Sequence, residues 1–169
     1  GGTDEAFRQG LRELGYVEGG SIVIEYRFAE GKLERLSDLA AELVRLKVDV
    51  LVAAGGTPAA SAAKRATMMI PIVMTNIGDP VAVGLVASLA RPGWNVTGLS
   101  LLGPDTAGKR LELLKEVVPV LSRVAVLWNP TNPSHALHLE ETRAASRALG
   151  VQVQLLEARG PEDFETAFK

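Results

Sequence analysis

The chain has no cysteine, almost no net charge and no apolar run longer than a strand, and each shortage removes a class of function. Without cysteine there is no disulfide, no thiolate nucleophile and no cysteine-ligated zinc, although the compartment stays open because exported proteins without disulfides are common. Strand-sized apolar runs exclude a membrane-crossing helix. With 18 basic and 20 acidic residues the formal charge is −2, and no basic block stands out, so the electrostatic footprint of a nucleic-acid or anionic-membrane binder is missing. Missing too are the GxGxxG and GxxxxGK[ST] loops that cradle dinucleotides and nucleoside triphosphates, and the GxSxG nucleophile elbow. No cofactor is called for. What is present is apolar: 47% of 169 residues is enough for a real core, in one large domain or two small ones, and excludes disorder.

The apolar residues alternate between two periodicities. Ala6, Phe7, Leu11 and Leu14 share one helical face, with Gly15 as the stop. Ile22, Ile24 and Tyr26 alternate with Val23, Glu25 and Arg27 as a strand, and Leu33 to Val44 returns to helical spacing. Val48 to Ala53 suits a parallel strand covered on both faces, Thr57 to Thr67 an alanine-rich helix, and Ile70 to Met74 the next buried strand. A short helical pattern follows Pro80. Beyond it come a crossover strand at 96–101, a helix at 105–118, a strand at 124–128, a long helix at 133–149 stopped by Gly150, a strand at 151–156 and a helix from Pro161. This alternation predicts parallel sheets with right-handed crossovers. Glycine and proline punctuation near 98–103 divides the chain into a first α/β lobe, 1–98, and a partial second one, 99–169.

The stretch from Ile72 to Gly98 is the most telling, a buried strand that empties into polar residues. Open α/β sheets bind small ligands at the carboxyl ends of their strands, where backbone N–H groups and helix N-termini are free. Gly55, Gly56 and Thr57 after one strand therefore suit a carboxylate or other anion, or form a tight turn with Thr57 as helix cap. Thr75, Asn76, Gly78 and Asp79 follow the next; Asp79 either accepts from a ligand ammonium or caps a helix opened by Pro80. In the second half Asn129, with both donor and acceptor, and Asn132 end a strand, Thr131 being the favoured cap before Pro133. Trp94 reads as a packing or hinge-loop residue. His135 and His138 lack a third ligand nearby and read as two solvated histidines, so no metal is expected. The charged faces Glu34 to Arg45 and Glu140 to Arg147 read as solvated helix surfaces.

An ordered set of short motifs carries a resemblance. It runs Ala6-Phe7-Arg8-Gln9-Gly10-Leu11, Leu14-Gly15-Tyr16, Ile24-Glu25-Tyr26-Arg27, Thr57-Pro58-Ala59, Asp79-Pro80-Val81, Gly84-Leu85-Val86, Arg91-Pro92-Gly93, Asn95-Val96-Thr97-Gly98, Lys109-Arg110-Leu111 and Asn129-Pro130. Across nearly the whole chain these residues resemble ABC-transporter substrate-binding proteins of the tryptophan/tyrosine type. The resemblance implies a type I periplasmic-binding fold: two Rossmann-like parallel-sheet lobes, here with the second incomplete, and a small molecule, an amino acid by preference, enclosed between them. It further implies delivery to a membrane permease and a periplasmic or extracellular location, with a lipid anchor open to the full-length protein. Relative to that family the chain lacks the first strand and the C-terminal part, so a fragment is expected, its exposed sheet edge filled by homodimerisation or strand exchange. Two other readings stay open: a Rossmann-like α/β enzyme acting on a nucleotide or sugar, and the ligand-sensing domain of a regulator.

Overall fold

In the computed structural model, which describes residues 2–101 and 106–169, two parallel sheets follow one another along the chain. Helix α1 (Gly2–Glu13) is followed by an extended segment, a 3-10 turn at Leu33–Arg35 and α2 (Leu36–Arg45). Strands β1 (Leu51–Ala53), β2 (Ile72–Ile77) and β3 (Val96–Ser100) form the first sheet in that order, with α3 (Gly56–Ala66) between β1 and β2. After α4 (Ala107–Val117), β4 (Arg123–Trp128) and β5 (Gln152–Glu157) pair in parallel around α5 (Pro133–Leu149), and the chain closes on a 3-10 turn at Pro161–Asp163 and α6 (Phe164–Ala167). The sequence places the start of the helix before β4 at Asp105, which lies outside the described residues. No helix among the described residues is long and apolar enough to cross a membrane.

The core explains the alternation. Ile72, Met74 and Ile77 of β2 are buried with Leu51 and Ala53 of β1 and Val96 of β3, beneath Ala60 and Ala63 of α3. Alanine at those positions lets the helix backbone lie close to the sheet; Ala60 has no exposed surface at all. Leu85 and Val86 plug one end of the same cluster. The Asn95 amide donates to the carbonyls of Thr67 (3.2 Å) and Ile70 (2.7 Å), tying the turn before β3 to the turn before β2. Register is thereby fixed where both strands begin, with Ile72 opposite Val96 and Met74 opposite Gly98.

Four expectations need correction. Residues 22–26 keep the in–out alternation, but apart from a bridge between Glu18 and Ile22 they have no strand beside them among the described residues and form no ladder. Alternation records which side chains face inward; a strand also requires a neighbour for its backbone. Residues 80–90 are turns, because the bonds Leu85 N–H to Pro80 O (2.8 Å) and Ala87 N–H to Pro92 O (2.9 Å) fold the segment on itself rather than along a helix axis. β1 is covered on one face only, since Val52 is 43% exposed between buried Leu51 and Ala53. Trp94, expected as a packing or a hinge-loop residue, is 83% exposed and held at φ 54°, so the packing half of that expectation fails.

Candidate functional site

Three strands of the two sheets deliver the candidate residues. β1 leads into Gly55 and Gly56, β2 ends in the Asn76–Asp79 loop, and β4 runs into Asn129–Asn132. The first and third of these loops open directly onto helix N-termini, those of α3 and α5. The N-cap of α3 is Gly55, so Thr57 is not the cap but lies inside the first turn, and its hydroxyl is released for another partner. That partner comes from the other half of the chain: Thr57 Oγ1 lies 2.6 Å from Ser134 Oγ, a hydrogen bond in which either can donate. Both residues are buried, at 3% and 5% exposure.

The other first-half candidates converge on the same spot. Gly56, at φ 68°, turns the chain past the Asn76 carbonyl, whose oxygen a Cβ there would meet in ordinary contact at 3.8 Å. Asn76 itself is left-handed at φ 60°, within an irregularity of register between Met74 and Ile77. Such bulges re-aim side chains at the rims of sheets. Gly78 faces Ser134 directly: a Cβ at Gly78 would stand 3.2 Å from both Ser134 Cβ and Oγ, and 3.7 Å from His138 Nε2. Thr75 is half-buried in β2. Asp79 does the capping work, its Oδ1 accepting from the N–H groups of Val81 (3.0 Å) and Ala82 (2.9 Å), although what it closes is a turn and not a helix.

In the second half the polar residues organise one another. Asn129 Oδ1 accepts from the N–H and the hydroxyl of Thr131, at 2.9 and 2.7 Å, and its Nδ2 donates to Arg159 O. Its backbone N–H donates to His135 Nδ1 at 3.1 Å. The cap of α5 is Asn132 rather than Thr131: its Oδ1 accepts from Ser134 N–H at 3.1 Å, with Pro133 at the first helical position. Because that bond also holds Ser134 at the helix start, Asn132→Ala is expected to cost about 1 kcal/mol of stability in thermal or urea unfolding. Asn132→Asp, which can still cap and whose charge suits the helix dipole, is expected to restore it.

The histidines are not solvated as expected. His135 is engaged with Asn129, and His138 Nε2 is buried without a hydrogen-bond partner, as is Trp128 Nε1. Burial, with the charges of His135 and Arg110 added, holds the His138 imidazole below the usual histidine range. Among the described residues no group of three metal-ligating side chains comes together. Ser134, which follows the same strand end as Thr131 and Asn132, and His138, expected to be solvated, also stand at this meeting point. The available signal was their four-residue spacing, continued by Thr142, which puts all three on one stripe of α5.

Two cavities adjoin this meeting point. The larger, about 300 Å³, lies within the second half, between α4, α5 and β4, lined by Arg110, Leu111, Val126, Trp128 and His138. The smaller, about 220 Å³, lies between the halves, walled by Leu36, Pro58, Ser61 and Arg65 on one side and by Thr131 and Pro133 on the other. A ligand can draw two units together only through contacts made to both, and the smaller cavity alone has walls from both.

Parallel α/β units in tandem, meeting near the loops at their strand ends, are the architecture of the type I periplasmic-binding fold. Comparison with known proteins gives the family. Residues 3–169 match the model of the ABC transporter substrate binding protein family, and the chain belongs to that family, which is one of solute-binding proteins. A tyrosine-binding protein from Clostridioides difficile (strain R20291) is 36% identical over 137 residues, covering 80% of this chain and 39% of the relative. Among solved structures, a conserved domain protein from Vibrio cholerae superposes with a TM-score of 0.86 at 34% identity, covering 94% of this chain and 53% of that one. An ABC domain in complex with L-Trp from Streptococcus pneumonia gives 0.85 at 28%, covering 96% and 54%. The chain thus spans 39% of the curated relative and about half of the solved ones.

Proposed function

We propose that this chain forms the ligand-enclosing part of the solute-binding component of an ABC import system, capturing an amino acid between lobes 1–98 and 99–169 and passing it to a membrane permease. The observation that carries this reading is the buried hydroxyl pair, Thr57 Oγ1 to Ser134 Oγ at 2.6 Å, which joins the first turns of the two helices that follow β1 and β4. Around it, Gly55, Gly56, Thr57, Thr75, Asn76 and Gly78 offer backbone and hydroxyl groups from one lobe, while Asn129 and Asn132, whose amides are bonded within their own loop, shape the facing wall from the other. Asp79 contributes by shaping its loop, since one carboxylate oxygen is already committed. Such an array of donors suits the carboxylate of an amino acid, and the tyrosine- and tryptophan-binding relatives point to an aromatic one. The protein works outside the cytoplasmic membrane, without catalysing a reaction. A thermal-shift panel of amino acids, nucleosides and sugars tests this. Concentration-dependent stabilisation by L-tyrosine or L-tryptophan, with the ligand recovered unchanged, is the expected result; stabilisation by a nucleotide or sugar with turnover would support an α/β enzyme instead.

The sheet edge carries a second proposal. β1 pairs with β2 on one side, and among the described residues no strand pairs with its other side. A second copy adding a strand there is expected to give, in sedimentation equilibrium, twice the 17.9 kDa chain mass. A single species at the chain mass contradicts it.

A further inference from the structure

His138 stands where the two halves touch, and none of its neighbours explains why a histidine is there. Its Nε2 is buried without a partner, within van der Waals reach of any side chain placed at Gly78 and one helical turn from Ser134, whose hydroxyl bonds Thr57. From this geometry we propose that His138 is a positioning residue of the cleft: its neutral imidazole lets the two lobes close, and its protonation drives them apart. The proposal rests on the reading that this contact is the closing face of a binding cleft.

The surroundings give the sign. On its own helix His138 faces His135, with ring centroids 6.3 Å apart. From α4 it faces the Arg110 guanidinium, a cation. β4 presents Trp128, which does not titrate. The facing loop presents Gly78; the Asp79 carboxylate beside it is turned to the N–H groups of Val81 and Ala82. On α4, Glu112 is bonded to Lys109 at 2.8 Å. An imidazolium at 138 would therefore meet a cation and a second imidazole, with no carboxylate among these groups to receive it. Burial, His135 and Arg110 all lower the proton affinity of His138; His135 and Arg110 belong to its own half and act in both arrangements, so what closure adds is the burial of Nε2 against the Gly78 loop. A group whose pKa is depressed in one state binds fewer protons there. Closure is thus undisturbed above the ordinary value of 6.5 and is progressively lost as pH falls below it, toward the lowered value.

The chain has no cysteine, so a pair introduced as Met69→Cys and Val120→Cys, at residues 87% and 88% exposed, labels one site in each half for single-molecule energy transfer. The unaltered His138 background is expected to show a compact distance at pH 8 and a growing extended population between pH 6.5 and 5, the open-to-closed ratio rising up to about tenfold for each unit separating the two states' pKa values. His138→Gln and His138→Leu are expected to remove that response, and His135→Gln to keep it. A pH-invariant distance in the parent overturns the proposal, as does a response that survives in either His138 variant that folds or vanishes with His135→Gln. Because the measurement uses no ligand, its failure leaves amino-acid capture standing. A pH response without amino-acid binding would leave His138 positioning the lobes and refute the proposed ligand.

Discussion

Gly98→Ala is expected to lose about 3 kcal/mol or more of stability, enough to lower the urea midpoint by at least about 1 M. Two independent penalties meet at this residue. Its φ of 141° lies in a region that side chains rarely adopt. In addition, a Cβ there would stand 2.7 Å from the Met74 nitrogen and closer still to its carbonyl oxygen, both backbone atoms of the neighbouring strand. A flexible side chain can move aside; a backbone paired in register, Met74 opposite Gly98, cannot move without breaking the β2–β3 ladder. The cost therefore falls on the core, where Ile72, Met74 and Val96 lie between the same strands. Urea unfolding followed by circular dichroism reads it directly, and an alanine variant within about 0.5 kcal/mol of the parent would show that the ladder is looser than described.

Gly78→Val is expected to act on closure rather than on folding, weakening amino-acid affinity by about tenfold or more, which is about 1.4 kcal/mol. Gly78 is absent from the residues with positive φ, so its backbone tolerates a side chain. Space is the constraint: even a Cβ comes within 3.2 Å of Ser134, and the two valine methyls would press on Ser134 and His138 as well. Those neighbours belong to α5, in the other half of the chain. Relief by separating the halves leaves each sheet intact, so the unfolding midpoint is expected to stay near that of the parent while calorimetric affinity falls. Unchanged affinity would place the ligand away from this contact; a collapse in stability would make Gly78 part of one continuous core.

How much of this was legible depended on what each residue's fate required. Strands β2, β4 and β5 and helix α5 could be read to within a few residues, because a continuous or alternating apolar run, or an Asn-Pro start with a Gly stop, records burial and capping that are local to the chain. Residues 22–26 could not, since a strand is a pairing and the sequence does not say whether a partner stands beside it. The turns at 80–90 were hidden because Leu85 and Val86 are buried by core geometry rather than by a helical face. At the site, the loops carrying Gly55–Thr57, Asn76–Asp79 and Asn129–Asn132 were predictable from strand ends alone. The contact between them was not: Thr57 and Ser134 are 77 residues apart, and their pairing depends on how one half of the chain lies against the other. The burial of His138 is likewise non-local, its neighbours coming from α4 in its own half and from the loop at Gly78 in the other.

The central claim is that one ligand is held by both halves at this contact. Backbone amide chemical shifts, recorded while L-tyrosine and then L-tryptophan are titrated into the labelled chain, test it most directly. The account predicts saturable shifts, with one common dissociation constant, at Gly55–Thr57 and Asn76–Gly78 together with Asn129–Ser134. Shifts confined to one half, or spread over the α4–α5 cavity without the first-half loops, would contradict it.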